Sequence, residues 1–311
     1  MKKFLPLLLC AAVMPAHADL LPLDDALRAT YTACVGIDDE LADLKQMAGI
    51  NTAVTAVGAA TGAGATVVGA VKVSKDKKAE ELEKILKEID ELQQGAKPLT
   101  ADEFKIFMSE FNAAYDSALA DKKSVQSELD KTVAQSKKLG NWRTGLVATS
   151  AATNVAGAII AGTNRVDGDL NAQILLCRTA VNNLRNSIAQ ARITGQDVTE
   201  ATDIVTACGE YDYVDLSKID NRAQGAMISS IVGATTGAIG TGLSAGANSS
   251  KIRDDNTDAG KQKEKNMNTA ANVFSGATTA ASVTATVFNA TQINAIKKVA
   301  SVAEKCTGVL K

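Results

Sequence analysis

Charge is distributed along this chain in blocks, and the blocks predict its elements. Four segments, Gly49–Val73, Thr144–Gly162, Gly225–Ala247 and Asn266–Ile296, are nearly free of charge and rich in Gly, Ala, Ser and Thr. Between them lie strongly polar stretches with helical periodicity. After Ser74, the run KDKKAEELEKILKEIDEL places Leu82, Ile85, Ile89 and Leu92 at steps of three and four. Glu80/Lys84, Glu83/Lys87 and Lys87/Glu91 add charge pairs one turn apart. That pattern is an exposed coiled-coil helix. Gly95 and Pro98 end it, and Thr100-Ala-Asp-Glu103 is a capping box that starts a returning helix. Phe104, Phe107, Phe111, Tyr115 and Leu119 form the returning stripe, continued by Val125, Leu129 and Val133.

The remaining segments read as helices as well. Asp24 and Asp25 open one that reaches Cys34, and Asp38 opens another that runs without a breaker into the first small-residue stretch. A kink or break is expected near Asn164–Gly168. Leu170–Ile193 is helical and ends at Thr194-Gly195, Gly209–Asp215 is a connecting loop, and Asp254–Gly260 is a polar turn. The fold class is all-α, with elongated antiparallel helical hairpins in a coiled-coil or bundle arrangement.

VGAATGAGAT at Val57 resembles VGATTGAIGT at Val232, and each follows a cysteine by about 24 residues. Asn141-Trp-Arg-Thr144 and Asn266-Met-Asn-Thr269 each open the later small-residue stretch of their half. The chain therefore reads as two copies of one hairpin unit. They are residues 19–193, with an extended tip at about 74–139, and residues 216–311, joined by a connector at 194–215. Glycines on one helix face let another backbone approach closely. The candidates are Gly58, Gly62, Gly69 and Gly157 in the first copy, and Gly233, Gly237, Gly242 and Gly246 in the second.

Residues 1–18 read as a secretory signal, with Lys2 and Lys3 before an apolar run and Ala16-His17-Ala18 at the cleavage position. Its removal leaves 31 basic against 35 acidic side chains, 31 − 35 = −4. No basic excess invites nucleic acid. Cys34, Cys177, Cys208 and Cys306 remain, an even number suited to an oxidising compartment. The midpoint of Cys208 and Cys306 falls in the turn at 254–260, so a hairpin folded there brings them level. By analogy Cys34 pairs with Cys177. Cys34–Cys306 with Cys177–Cys208 is the alternative, because all four can sit at one end of a bundle.

The only histidine, His17, lies in the signal, which leaves no imidazole for base, triad or metal chemistry. The cysteine spacings are too wide for zinc pairs. Gly62-Ala-Gly64 and Gly240-Thr-Gly242 complete no phosphate-binding motif. The expectation is thus no catalytic residue, no cofactor, no metal and no small-molecule substrate. Each small-residue stretch is long enough for a bilayer but weakly apolar. Trp142 and Arg143, at the start of the second, suit an interface anchor. The functional expectation is a non-catalytic exported envelope protein, in the periplasm, outer membrane or medium. It would form a small-residue helical assembly with itself or an envelope partner, membrane-inserted or pore-like. A soluble coiled-coil scaffold or binding module is the alternative.

Overall fold

The computed structural model describes residues 21–94, 122–166, 168–253, 255 and 257–310. The expected signal, the hairpin tip at Gly95–Leu99, the capping box and the Phe104–Leu119 stripe lie outside them. Among the described residues there are helices and no strand, as the sequence pattern predicts. In chain order they are α1 Leu23–Cys34, α2 Ile37–Gln94, α3 Lys122–Thr163, α4 Gly168–Ile193, α5 Thr199–Cys208, α6 Ser217–Ala247, the single turn α7 Ser250–Arg253, and α8 Asp258–Leu310.

The breaks have local causes. Gly36, between α1 and α2, sits at φ 92°, and Gly195, after α4, at φ 73°. Both angles suit glycine because it has no Cβ to clash. The expected connector at 194–215 is more ordered than its composition suggests. It contains α5, which buries Ala201, Ile204 and Cys208 along one stripe. Asp197 starts that helix by accepting hydrogen bonds from the Thr199 amide (3.0 Å) and hydroxyl (2.7 Å). Gly209–Tyr213 then forms a 3-10 turn that buries Tyr211.

The chain divides into two compact units that cut across both expected hairpins. The first comprises the described residues up to Lys45, Val166–Ile219 and Asn294–Lys311. Its core is conventionally apolar. Ile37, Leu41, Leu170, Ile174, Leu184 and Ile296 are all buried. The Arg178 guanidinium donates to the carbonyls of Tyr211 (2.7 Å) and Val214, tying the 3-10 turn to α4. Burial, reinforced by the negative charge of Asp38, pushes the Tyr211 phenol well above its ordinary value, so the ring stays neutral.

Disulfides join Cys34 to Cys177 and Cys208 to Cys306. The chain breaks between Thr163 and Gly168, where the sequence places a kink or break. Sγ atoms of Cys34, Cys177 and Cys306 lie within 4.8 Å of one another. Proximity alone therefore does not exclude the alternative pairing; the bonds made do.

The second unit, Gln46–Arg165 and Asp220–Ile293, takes segments of α2, α3, α6 and α8. Its core follows a strict heptad rhythm. Buried positions on α2 include 51, 55, 58, 62, 65, 69 and 72; on α3 they include 140, 143, 147, 150, 154, 157 and 161, and 164 just past its end continues the row. On α6 they are 223, 226, 230, 233, 237, 240, 244 and 247, and on α8 they include 268, 271, 275, 278, 282, 285, 289 and 292. Steps of four and three alternate, the spacing of a left-handed coiled-coil seam. Ordinary seams are filled by Leu, Ile and Val. This one holds Gly, Ala, Ser, Thr and Asn with a single valine, Val147, and has Arg143 and Lys72 at one end and Gln292 at the other. Only toward the hairpin tip does an apolar cluster resume, with Leu82, Ile85, Leu86, Val125 and Leu129.

Peptide mapping without reduction should recover the Cys34–Cys177 and Cys208–Cys306 linkages. Replacing Cys208 and Cys306 by Ser opens a loop of 98 residues and should cost about 4 kcal/mol of stability, read as a lowered unfolding midpoint.

Candidate polar seam and its charged mouth

The second unit places its polar groups in layers, because heptad spacing brings seam residues of four helices level. In one layer Asn51 donates to the Asn289 side-chain oxygen (2.9 Å), and Asn289 donates to the Thr55 hydroxyl (3.3 Å). In the next, Asn154 donates to the Ser282 hydroxyl (2.8 Å) and to the Ser150 carbonyl (2.8 Å). Ser150 in turn donates to the Gly58 carbonyl at 2.7 Å. That bond reaches a helix backbone on a neighbouring segment.

Glycine makes these approaches possible. A Cβ at Gly58 would stand 2.7 Å from Thr153 Oγ1, and one at Gly233 would stand 2.7 Å from Asn154 Cγ. Gly62 faces Thr279 and Ser150, Gly69 faces Asn272, Gly157 faces Thr55 and Ser230, and Gly246 faces Met267. Gly237 meets backbone: its Cβ would lie 3.1 Å from the Ala151 Cα. Gly242 departs from expectation. Nothing lies within 4 Å of its Cβ position, and the seam residue of that turn is Gly240, against Val147 and Phe274. The heptad step explains the shift, since 240 and not 242 continues 233 and 237.

Trp142 and Arg143 separate in the same way. Successive residues on a helix point about 100° apart, so Trp142 is 63% exposed while Arg143 is fully buried. An interface-anchor role for Arg143 is therefore overturned. Its Nε donates to Ser244 Oγ (3.0 Å), Nη1 to Asn272 Oδ1 (3.1 Å) and the Asn268 carbonyl (3.5 Å), and Nη2 to Asn268 Oδ1 (3.2 Å). One heptad step outward, Lys72 is buried and donates to Asp76 (2.7 Å) and Glu264 (3.2 Å). Asp76 also accepts from Ser136. A cavity of about 790 Å³ opens here, with Lys72, Asp76, Glu264 and Asn268 in its wall.

The other end of the seam is closed by Gln292, which donates to the Asn164 carbonyl at 3.0 Å. Arg165 grips Asp220 there with two bonds of 2.7 Å. The guanidinium's hydrogen bonds, aided by its charge, hold the Asp220 carboxyl below the usual carboxylate value.

Outward-facing positions carry the large apolar side chains. Val67, Ile159, Ile231, Val273 and Val287 are exposed on the same helices whose Asn, Ser and Thr are buried. Three helical stretches, Leu23–Lys87, Val125–Ile193 and Ser217–Ala247, are long and apolar enough to cross a bilayer, and only 28% of each best window is buried. α8 is not among them. Apolar periodicity in the sequence does not mark Asn51, Asn154, Asn289, Ser150, Ser282 or Lys72. Their signal was a heptad of small and polar residues.

The contrast between Gly237 and Gly242 gives a direct test. Gly237→Ala should destabilise by about 1–3 kcal/mol, as overpacking does. Gly242→Ala, with open space around it, should be neutral or stabilising by up to about 1 kcal/mol. Thermal unfolding of the two variants measures both signs. The Arg165–Asp220 pair gives a second. With the folded carboxyl lowered, its contribution is present above the ordinary value of 3.8 and is lost as pH falls through the folded one. An acid titration of unfolding should therefore be shallower in Asp220→Asn.

No protein-family model, curated protein sequence or solved structure matches this chain.

Proposed function

We propose that the chain is a non-catalytic envelope protein, exported by its N-terminal signal, whose second unit inserts into a membrane as a four-helix assembly with a polar, pore-like interior. The observation that carries this is the inverted distribution of side chains. Soluble bundles bury Leu, Ile and Val and expose polar groups. In the second unit Asn51, Asn154, Asn289 and Ser282 are buried and Val67, Ile159, Ile231 and Val273 are exposed. Lipid rewards that arrangement, because apolar tails solvate Val and Ile while polar side chains pair across helices.

Dimensions agree. Residues 144–163 of α3 carry no charged side chain; Arg143 directly precedes them and Arg165 follows just past the helix end. The 163 − 143 = 20 residues from Arg143 to the last residue of the helix rise about 30 Å at about 1.5 Å per residue. A bilayer's hydrocarbon core is about 30 Å thick. The remaining polar features fit the same scheme: the disulfide-linked first unit has a water-soluble type of core, and the coiled-coil segment beyond Lys72 offers a surface for self-association or an envelope partner.

The soluble coiled-coil scaffold remains the second reading, favoured by α8, which is not among the stretches long and apolar enough to cross a bilayer. Trp142 distinguishes them. It is the only tryptophan, exposed, and near one end of the uncharged slab. In vesicles made with brominated acyl chains, the inserted protein should show quenched tryptophan fluorescence and resist extraction by carbonate. Unquenched fluorescence together with full release by carbonate would establish the soluble reading instead.

A further inference from the structure

The four uncharged runs that build the seam, 46–71, 144–164, 223–250 and 266–296, are each bounded at both ends by Lys or Arg. Cations so placed can extend their charged heads out of an apolar layer while their stems stay in it. The two sets of ends differ in what lies beyond them. In the eight residues beyond each end of one set, 72–79, 136–143, 251–258 and 258–265, there are 12 basic and 5 acidic side chains, 12 − 5 = +7. Beyond the other set, at 38–45, 165–172, 215–222 and 297–304, there are 6 basic and 9 acidic, 6 − 9 = −3. In a chain of 33 basic and 35 acidic side chains, positive charge is thus gathered at one end of the seam.

The structure brings that end together as a collar. Arg143 on α3 donates to Ser244 on α6 and to Asn268 on α8, and the Cβ position of Gly69 on α2 is 3.0 Å from Arg143 Cδ. All four helices are therefore level here. The buried cations are already matched: Lys72 holds Asp76 and Glu264, and the charge of Asp76 also acts on Arg143. What faces outward is not matched in this way. Lys77 on α2, Lys138 on α3, Lys251 on α7 and Lys265 on α8 are exposed, and none of them forms an ion pair among the described residues. Trp142, exposed, directly precedes Arg143.

What adjoins the collar sets the partner that fits it. On the side toward the uncharged runs, the same helices turn Val67, Ile239 and Val273 outward. The partner must therefore present negative charge and, directly beside it, an apolar layer. An anionic phospholipid does so, with a phosphodiester at the head of its acyl chains. Clusters of about four to eight Lys or Arg next to a membrane segment attract such lipids, and tryptophan concentrates at the same depth. An acidic protein would match the charge and leave the apolar belt uncovered.

We propose that this collar docks anionic phospholipid headgroups, with Lys77, Lys138, Lys251 and Lys265 pairing with their phosphates while the uncharged runs lie among the acyl chains. This rests on the membrane-inserted reading and adds which lipid the inserted end takes. The test uses the full chain with vesicles of brominated phosphatidylcholine, alone or mixed with phosphatidylglycerol, and reads flotation and the quenching of Trp142. Phosphatidylglycerol should raise partitioning at least about tenfold at low salt, an advantage lost at high salt. Lys77→Gln, Lys138→Gln and Lys265→Gln together should remove most of that advantage and leave quenching in phosphatidylcholine unchanged. Lys45→Gln, Lys297→Gln and Lys298→Gln remove the same charge beyond the opposite ends and should keep the advantage. Helicity and non-reducing disulfide maps establish that each variant is folded. Equal flotation and quenching with and without phosphatidylglycerol overturns the collar and leaves insertion standing. An equal loss in the opposite-end variant assigns the attraction to net charge and likewise overturns the collar. Trp142 unquenched in both vesicles overturns insertion itself, and the proposal with it.

Discussion

Close approach of helix backbones across a seam of missing side chains is the constraint on which the second unit depends. Asn154 shows why. Its amide spans to Ser282 because Gly58 and Gly233 stand beside it without Cβ atoms. A methyl at either position would occupy the place of that amide or of the neighbouring Thr153 hydroxyl. Each such glycine costs about 0.5–1 kcal/mol of helix propensity relative to alanine. The compensation is polar pairing and dispersion at short range, which counts for more where water does not compete. The same seam would gain little in water, since Gly, Ser and Thr bury almost no apolar area.

The two units consequently hold together by different physics. The first buries Ile, Leu and Tyr in the ordinary way and adds two disulfides, which constrain its three separate chain segments. The second relies on heptad geometry, hydrogen bonds between side chains, and an environment for its outward Val and Ile. Charge is confined to the ends of its seam, in the Arg165–Asp220 pair and in the group around Lys72 and Arg143.

Much of this was legible in the sequence. Charge blocks located the helices, the midpoint of Cys208 and Cys306 located their hairpin, and the glycine spacing located seven of eight close-packing positions. Three things were not legible, each for a physical reason. Apolar periodicity does not reveal the seam, because here the periodic positions are polar or small; Asn51, Thr55, Gly58 and Gly62 repeat as regularly as any leucine zipper. Gly242 misled because two glycines four apart satisfy a local motif that the heptad does not honour. Arg143 misled because adjacency to Trp142 in sequence means opposite environments on a helix. Gly58 and Gly233, matched in the sequence by their flanking strings, both lie against Asn154.

The central claim is that Val and Ile of the second unit face lipid while its Asn and Ser face each other. Photolabelling by a carbene-generating lipid in vesicles, mapped residue by residue by mass spectrometry, tests it most directly. The account predicts labels at Val67, Ile159, Ile231 and Val273 and none at Gly58, Asn154, Gly233 or Ser282. Labels confined to the seam residues, or absent from all four outward positions, would contradict it.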